Sequence, residues 1–106
     1  MRIEISEHAV DRYIERIAAG ATRQQARERL LRIAETGKKI KEVSPSGHPQ
    51  YLGQTEDGEV VIIMRTNKYK HYAQGRTIIE QGRVVTTCLT RHQVFGNDGA
   101  LEDPWM

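Results

Sequence analysis

The stretch SEHAVDRYIERI, residues Ser6 to Ile17, decides the fold because it combines a helix start with an apolar stripe. Ser6 is a good N-cap residue, since its hydroxyl can accept a hydrogen bond from an unpaired amide of the first turn. Ile5 before it can pack on Val10 as a hydrophobic staple. Four residues recur at helical spacing and form one apolar stripe: Val10, Tyr13, Ile14 and Ile17. The pattern predicts an amphipathic helix with one face against a core.

The opposite face of this helix carries His8, Arg12 and Glu15, with Arg16 on its flank. One interpretation is a solvated surface with exposed ion pairs. Another is an anion site, because the amides and dipole of a first helical turn attract phosphate and the arginines add positive charge. A histidine placed there can also act as a general acid or base near neutral pH. A metal site would need several converging ligands, and neither HxxxH nor HExxH occurs in the sequence.

The length of 106 residues suits a single domain, and 38% apolar with 28% charged residues is ordinary for a globular protein. The only cysteine, Cys88, cannot form an internal disulfide, and its apolar neighbours predict a small buried side chain in a reducing cytoplasm. The N-terminal residues lack the apolar segment of a signal peptide. No apolar run approaches the roughly 20 residues that span a bilayer. We therefore expect a cytoplasmic protein that does not enter a membrane.

The net charge of +2 is unevenly distributed along the chain. Residues 97–106 contain Asp98, Glu102 and Asp103 and neither Lys nor Arg, so the rest of the chain is more basic than the total suggests. Such a body is compatible with nucleic acid binding but does not require it.

The segments beside the first helix predict an α+β fold. Arg2 to Ile5 alternates between polar and apolar residues, as in a short strand. Thr22 and Gln25 form a capping-box pattern for a second helix that Gly37 ends. The buried stripe of that helix consists of Ala26, Leu30, Ile33 and Ala34. The short connection between the two helices predicts a helical hairpin.

The clearest strand is Glu59 to Arg65, EVVIIMR, whose five consecutive apolar residues predict a central strand buried on both faces. Farther along, Thr77 to Glu80 and Arg83 to Thr90 are expected to pair as a hairpin around Gln81-Gly82.

Between these strands, residues 65–76 (RTNKYKHYAQGR) interleave cations with aromatic rings. Cations for phosphates and rings for base stacking are what a surface for RNA or other single-stranded nucleic acid needs. The nucleic-acid-binding candidates are Arg65, Lys68, Tyr69, Lys70, Tyr72 and Arg76. The alternative is an exposed hairpin whose lysines discourage edge pairing and whose tyrosines pack downward. The sequence leaves both interpretations open.

The first helix reads HAxxRxxER over residues 8–16, and Val84 to Thr90 reads VVTTCLT. These motifs resemble small bacterial and phage proteins of the barnase, EndoU, colicin and RelE-like superfamily, over most of residues 3–90. The resemblance implies an α+β domain, residues 1–96, in which an N-terminal helical hairpin packs on an antiparallel four-stranded sheet. An acidic tail, residues 97–106, would follow. It also implies a metal-independent endoribonuclease without a cofactor, of toxin or phage-effector type, whose partners are RNA and an antitoxin or host protein.

The catalytic candidates combine the motif positions with the needs of RNA cleavage. The resemblance matches the family's histidine to His8, its arginines to Arg12 and Arg16, and its last-strand threonine to Thr86 or Thr87. Cleavage needs a base for the 2′-hydroxyl, an acid for the 5′-oxygen and a cation for the phosphorane charge. His8 with His71 or His92 would supply the first two, and Arg12, Arg16 or Lys70 the third. The resulting candidates are His8, Arg12, Arg16, His71 and Thr87.

Two rivals belong to other classes. One is a non-catalytic protein of a phage or mobile element that binds nucleic acid or a host protein with the same basic surface. The other is a structural interaction domain.

The tail is expected to bury Trp105 at least partly, against the sheet, against the basic site or in a homodimer.

Overall fold

A computed structural model describes residues 2–95, apart from the side chains of Glu42, Val43 and Phe95. The elements in chain order are β1 (Arg2–Ile5), α1 (Glu7–Arg16), α2 (Arg23–Thr36), β2 (Lys38–Val43), β3 (Pro49–Thr55), β4 (Gly58–Ala73), β5 (Arg76–Thr90) and α3 (Arg91–Phe95). The strands form one sheet in the order β1-β5-β4-β3-β2. The predicted α+β class is confirmed. The predicted burial of Trp105 and the rest of the tail lie outside the described residues.

α1 begins where the sequence predicts. The Ser6 hydroxyl accepts a hydrogen bond from the Ala9 amide and donates one to the Thr86 carbonyl, each at 3.1 Å. The helix start is therefore tied to β5 as well as capped. Val10 and Tyr13 are fully buried.

α2 has the predicted capping box, with both hydrogen bonds between Thr22 and Gln25. Its Ile33 packs closely on Gly53 of β3, where an added Cβ would lie 2.7 Å from two Ile33 atoms. Arg23 pairs with both Glu7 and Asp11, in the first half of α1 rather than at its C-terminal end. The two helices are neighbours, but their arrangement differs in detail from the predicted hairpin.

The sheet corrects the expectation of four antiparallel strands, because it has five strands and is mixed. β1 pairs with β5 in parallel, with Ile5 opposite Val85. β2, which the sequence did not predict as a strand, pairs antiparallel with β3. Strands joined by a tight turn must be antiparallel, but β1 and β5 are far apart in the chain, so no local signal sets their direction.

The predicted hairpin around Gln81-Gly82 is wrong. β4 and β5 pair from Val60 opposite Thr90 to Ala73 opposite Arg76, and the turn is Gln74-Gly75. Both turn residues have positive φ, 53° and 73°, as a two-residue turn of type I′ requires. Gly82 serves a different purpose, since an added Cβ there would lie 2.6 Å from the Tyr69 ring and 2.8 Å from the Arg2 carbonyl oxygen. Gly82 was interpreted as a turn residue, but the structure requires a glycine there because Tyr69 and Arg2 pack closely against it.

The core lies between the helices and one face of the sheet. β4 is the middle strand, and all its residues from Val60 to Met64 are buried, which confirms the predicted central strand. The predicted burial of Cys88 is also confirmed. The buried cluster consists of Ala9, Val10, Tyr13, Ala26, Leu30, Ile33, Val60, Ile62, Met64, Val85 and Cys88.

Candidate functional site

β4 and β5 continue beyond the rest of the sheet as a two-stranded arm, which we define as residues 65–83. β3 pairs with β4 only as far as Ile63, and β1 pairs with β5 only from Gly82 to Val85. Both outer edges of the arm between these contacts therefore lack a partner strand among the described residues. Every residue from 70 to 79 is exposed. The longest dimension of the molecule is accordingly 56 Å, against 30 and 21 Å for the other two.

Side chains of a strand point alternately to the two faces of the sheet, and paired residues share a face. Met64 lies in the core beneath the helices, so every second residue after it faces the same side. This side of the arm, the lysine face, consists of Thr66, Lys68, Lys70, Tyr72, Thr77, Ile79, Gln81 and Arg83. The other side, the histidine face, consists of Arg65, Asn67, Tyr69, His71, Ala73, Arg76, Ile78, Glu80 and Gly82. The surface predicted from residues 65–76 is thus divided between two faces.

The two tyrosines of the arm have different environments. Tyr69 packs on Gly82, and the Arg2 guanidinium lies over its ring, 4.2 Å from the centroid. Its hydroxyl is buried and has no hydrogen-bond partner among the described residues. Tyr72 is 81% exposed. Tyr69 and Tyr72 were both predicted to stack on bases, but only the Tyr72 ring is exposed enough to contact one.

The arm carries more positive than negative charge. Residues 65–83 contain five Lys and Arg residues and a single carboxylate, Glu80. The Glu80 carboxylate forms a hydrogen bond with His71, with 2.9 Å between its oxygen and the ring Nε2. Within the described residues, none of the cations Arg65, Lys68, Lys70 or Arg76 forms an ion pair. Their charge is available to an external anion.

The helix layer, which we define as α1 and α2, is also rich in arginine, but each arginine of α2 has a carboxylate partner among the described residues. Arg23 bonds to Asp11 at 2.6 Å and also to Glu7, and these contacts hold the pKa of both carboxyl groups below its usual range. The remaining pairs are Arg27 with Glu7, Arg29 with Glu56 and Asp57, and Arg32 with Glu56. The positive charge of this layer is largely neutralised.

The predicted catalytic residue His8 is exposed on α1 and lines an open cavity of about 410 Å³. The other residues lining it in the described part of the chain are Asp11, Arg12, Ile14, Glu15 and Arg23. Arg12 is paired with Glu15 at 2.6 Å, so its charge is shared. The structure thus brings His8 and Arg12 together, in a largely neutralised setting.

The remaining catalytic candidates lie elsewhere. Arg16 donates a hydrogen bond to the Cys88 carbonyl at 3.0 Å, which makes it a tether between α1 and β5. Thr87 pairs with Ile63, on the sheet face turned away from the helices. His71 lies on the arm seven residues beyond Met64, about 23 Å along the strand, on the face opposite α1. The geometry therefore separates His71 from His8. His92 is exposed on α3.

Four residues at the arm were not predicted from the sequence: Thr77, Ile79 and Gln81, which share a face with the two lysines, and Arg2, which covers Tyr69. The signal for the first three was present in the Gln74-Gly75 turn. A hairpin turn at Gln74-Gly75 sets the register of β4 and β5. This register pairs Lys68, Lys70 and Tyr72 with Gln81, Ile79 and Thr77, respectively.

Comparison of the chain with family models, curated proteins and solved structures gives no match. The resemblance to the RelE-like superfamily therefore remains an expectation that rests on the sequence motif. Among residues 2–95, no helix combines the length and apolar composition that crossing a membrane requires.

Proposed function

We propose that this protein binds nucleic acid through the arm. The observation that carries the proposal is a group of cations without ion-pair partners among residues 2–95, on a ribbon exposed on both faces. A polyanion releases condensed counterions when lysine and arginine neutralise its phosphates, and this release supplies most of the affinity of such contacts. Cations already paired with carboxylates, such as those of α2, contribute much less.

A salt titration of binding tests the proposal. Fluorescently labelled single-stranded and duplex RNA and DNA are titrated with the protein at several salt concentrations. The variant Lys68→Gln/Lys70→Gln should bind more weakly. The slope of log affinity against log salt should fall by about 0.7 to 0.9 for each phosphate that the protein no longer neutralises.

The matched control is Lys38→Gln/Lys39→Gln. These two lysines are exposed on β2, at the opposite edge of the sheet from β1, and have no ion-pair partner among the described residues. The control removes the same charge and should leave the slope unchanged. Equal losses of affinity in the two variants would mean that binding depends on total charge and not on the arm.

RNA cleavage is a second candidate function, and the position of His8 beside Arg12 in an open cavity favours it. His8 could take the proton of a 2′-hydroxyl. The cavity offers no second histidine among the described residues, and Arg23 holds the pKa of Asp11 low, so Asp11 is ionised near neutral pH and cannot donate a proton to the leaving 5′-oxygen. The cavity offers a general base more clearly than a general acid. We therefore rank RNA cleavage below nucleic acid binding.

Incubation of the protein with RNA in EDTA tests this candidate. His8→Ala should lower cleavage by about 10²- to 10⁴-fold if His8 is the base. His71→Ala is the control of the same residue type, and it should retain activity if the second histidine takes no part. Absence of cleavage by the unsubstituted protein would remove this function and leave the binding proposal intact.

A further inference from the structure

We infer that the nucleic acid recognised by the arm is duplex DNA, and that the lysine face enters its major groove. The inference rests on the proposed function and narrows it to one class of polymer. It is drawn from the shape of the arm, from the chemistry of its two faces and from the environments of its two tyrosines.

The dimensions of the arm suit the major groove of B-form DNA. Two paired strands lie about 4.8 Å apart, and the groove, about 12 Å wide and about 8.5 Å deep, admits a two-stranded ribbon. Residues 65–73 extend for about 30 Å, close to the length of one turn of the duplex. The outer edges of the arm, which pair with no other described strand, allow phosphate backbones to pass on both sides.

The side chains of the lysine face are suited to contacts with phosphates and with base edges in the major groove. This face contains no carboxylate, and its two lysines can meet phosphates or guanine acceptors. Thr77 and Gln81 can form hydrogen bonds with base edges, and Ile79, which is 59% exposed, can contact a thymine methyl group. The histidine face is less suitable because Glu80 lies there and would face the phosphates. α1 starts beside Val85, so the lysine face beyond it has no helix packed over it among the described elements.

Other polymers fit less well. Single-stranded nucleic acid is held by several stacking rings, but Tyr69 is covered by Arg2, which leaves only Tyr72. Duplex RNA has a major groove too deep and narrow for side chains to read. A second copy of the arm would bring two positively charged ribbons together, which like-charge repulsion opposes.

The first test compares polymers of one sequence. Anisotropy titrations use a 20-base-pair DNA duplex, the matching RNA duplex and each single strand. We expect the DNA duplex to bind at least about tenfold more tightly than the others, and we expect the protein to protect guanine N7 from methylation, since N7 lies in the major groove. Equal or tighter binding of a single strand or of the RNA duplex overturns the inference, as does unprotected N7 in the complex. Failure of all four ligands to bind overturns the proposed function itself.

The second test uses two neighbouring isoleucines on opposite faces. Ile78 and Ile79 are 49% and 59% exposed, so neither substitution removes a core residue. Ile79→Glu places a negative charge on the lysine face and should weaken binding to the DNA duplex by about tenfold or more, whereas Ile78→Glu should weaken it by less than about threefold. Equal effects, or a larger effect of Ile78→Glu, overturn the assignment of the face. Circular dichroism and thermal melting confirm that both variants fold.

Discussion

The helix layer and the arm both present arginine and lysine to solvent, yet they use them differently. Arg23 on α2 faces Glu7 and Asp11, whereas Lys70 on the arm has no acidic partner among the described residues. Exposed ion pairs add little to stability, but they cancel the field that would attract a polyanion. The placement of carboxylates, more than the number of cations, therefore indicates where a basic protein can bind an anion.

The two regions also differ in what holds them together. Leu30 and Ile33 of α2 are buried in the core, whereas Ile78 and Ile79 of the arm are exposed. The helix layer is stabilised by apolar burial, and the distal arm mainly by the β4–β5 hydrogen bonds. We therefore expect the two regions to respond differently to substitution and to pH.

The largest effect should come from truncating apolar side chains in each region. Leu30→Ala should lower the free energy of unfolding by about 2–5 kcal/mol because it leaves a cavity in the core. Ile79→Ala should change it by no more than about 0.5 kcal/mol, because the side chain is already largely exposed. Urea unfolding measures both. A similar loss of stability for Ile79→Ala would show that the arm packs against another part of the protein and is stabilised by apolar burial, as the helix layer is.

Alkaline pH should destabilise the core between the helices and the sheet, which contains both Tyr13 and Cys88. Burial raises the pKa of the Cys88 thiol to about 12, and burial together with the hydrogen bond to Asp57 raises the pKa of Tyr13 to about 12. Both pKa values exceed those of the unfolded chain, so the stability that these two neutral groups contribute is fully present below about pH 8.5 and falls as pH rises toward 12.

Urea unfolding between pH 8 and 11 measures this decrease in stability. Tyr13→Phe and Cys88→Ala should each make the pH dependence shallower, while Tyr72→Phe on the arm should leave it unchanged. An unaltered pH dependence in all three variants would contradict the assignment of the titrating groups.

Gly82→Ala should loosen the junction between the arm and the sheet. The added Cβ would meet the Tyr69 ring at 2.6 Å and the Arg2 carbonyl at 2.8 Å, so we expect a loss of about 1–3 kcal/mol and faster amide exchange in residues 65–83. Gly20→Ala is the control, because no atom lies within 4 Å of its added Cβ. Equal stability of the two variants would show that Tyr69 and Arg2 can move away from the added Cβ without a loss of stability.

The smallest effect concerns the two tyrosine hydroxyls. The buried Tyr69 hydroxyl has no partner among the described residues, so Tyr69→Phe should leave the free energy of unfolding unchanged or raise it by about 1 kcal/mol. Tyr72→Phe should have no measurable effect. A lower stability of Tyr69→Phe would reveal a hydrogen bond to this hydroxyl and would mark Tyr69 as part of a larger packed unit.

Much of the candidate site could not be predicted because it depends on register. The sequence indicated the cations and tyrosines of residues 65–76, but it placed the turn at Gln81-Gly82 instead of Gln74-Gly75. Since side chains alternate with a period of two, the position of the turn decides which residues of β5 join Lys68 and Lys70. His8 and His71 could be paired on chemical grounds, yet the strand carries His71 to the opposite face and far from α1.

The features that could be predicted from the sequence are those that local interactions control. Ser6 and Thr22 cap their helices through groups three residues away, and the apolar run Val60 to Met64 could be stable only at the centre of a sheet. The parallel pairing of β1 with β5 and the pairing of Arg23 with Glu7 and Asp11 depend on the tertiary structure. Most of these contacts join residues that are distant in the chain, and no short-range pattern encodes such neighbours.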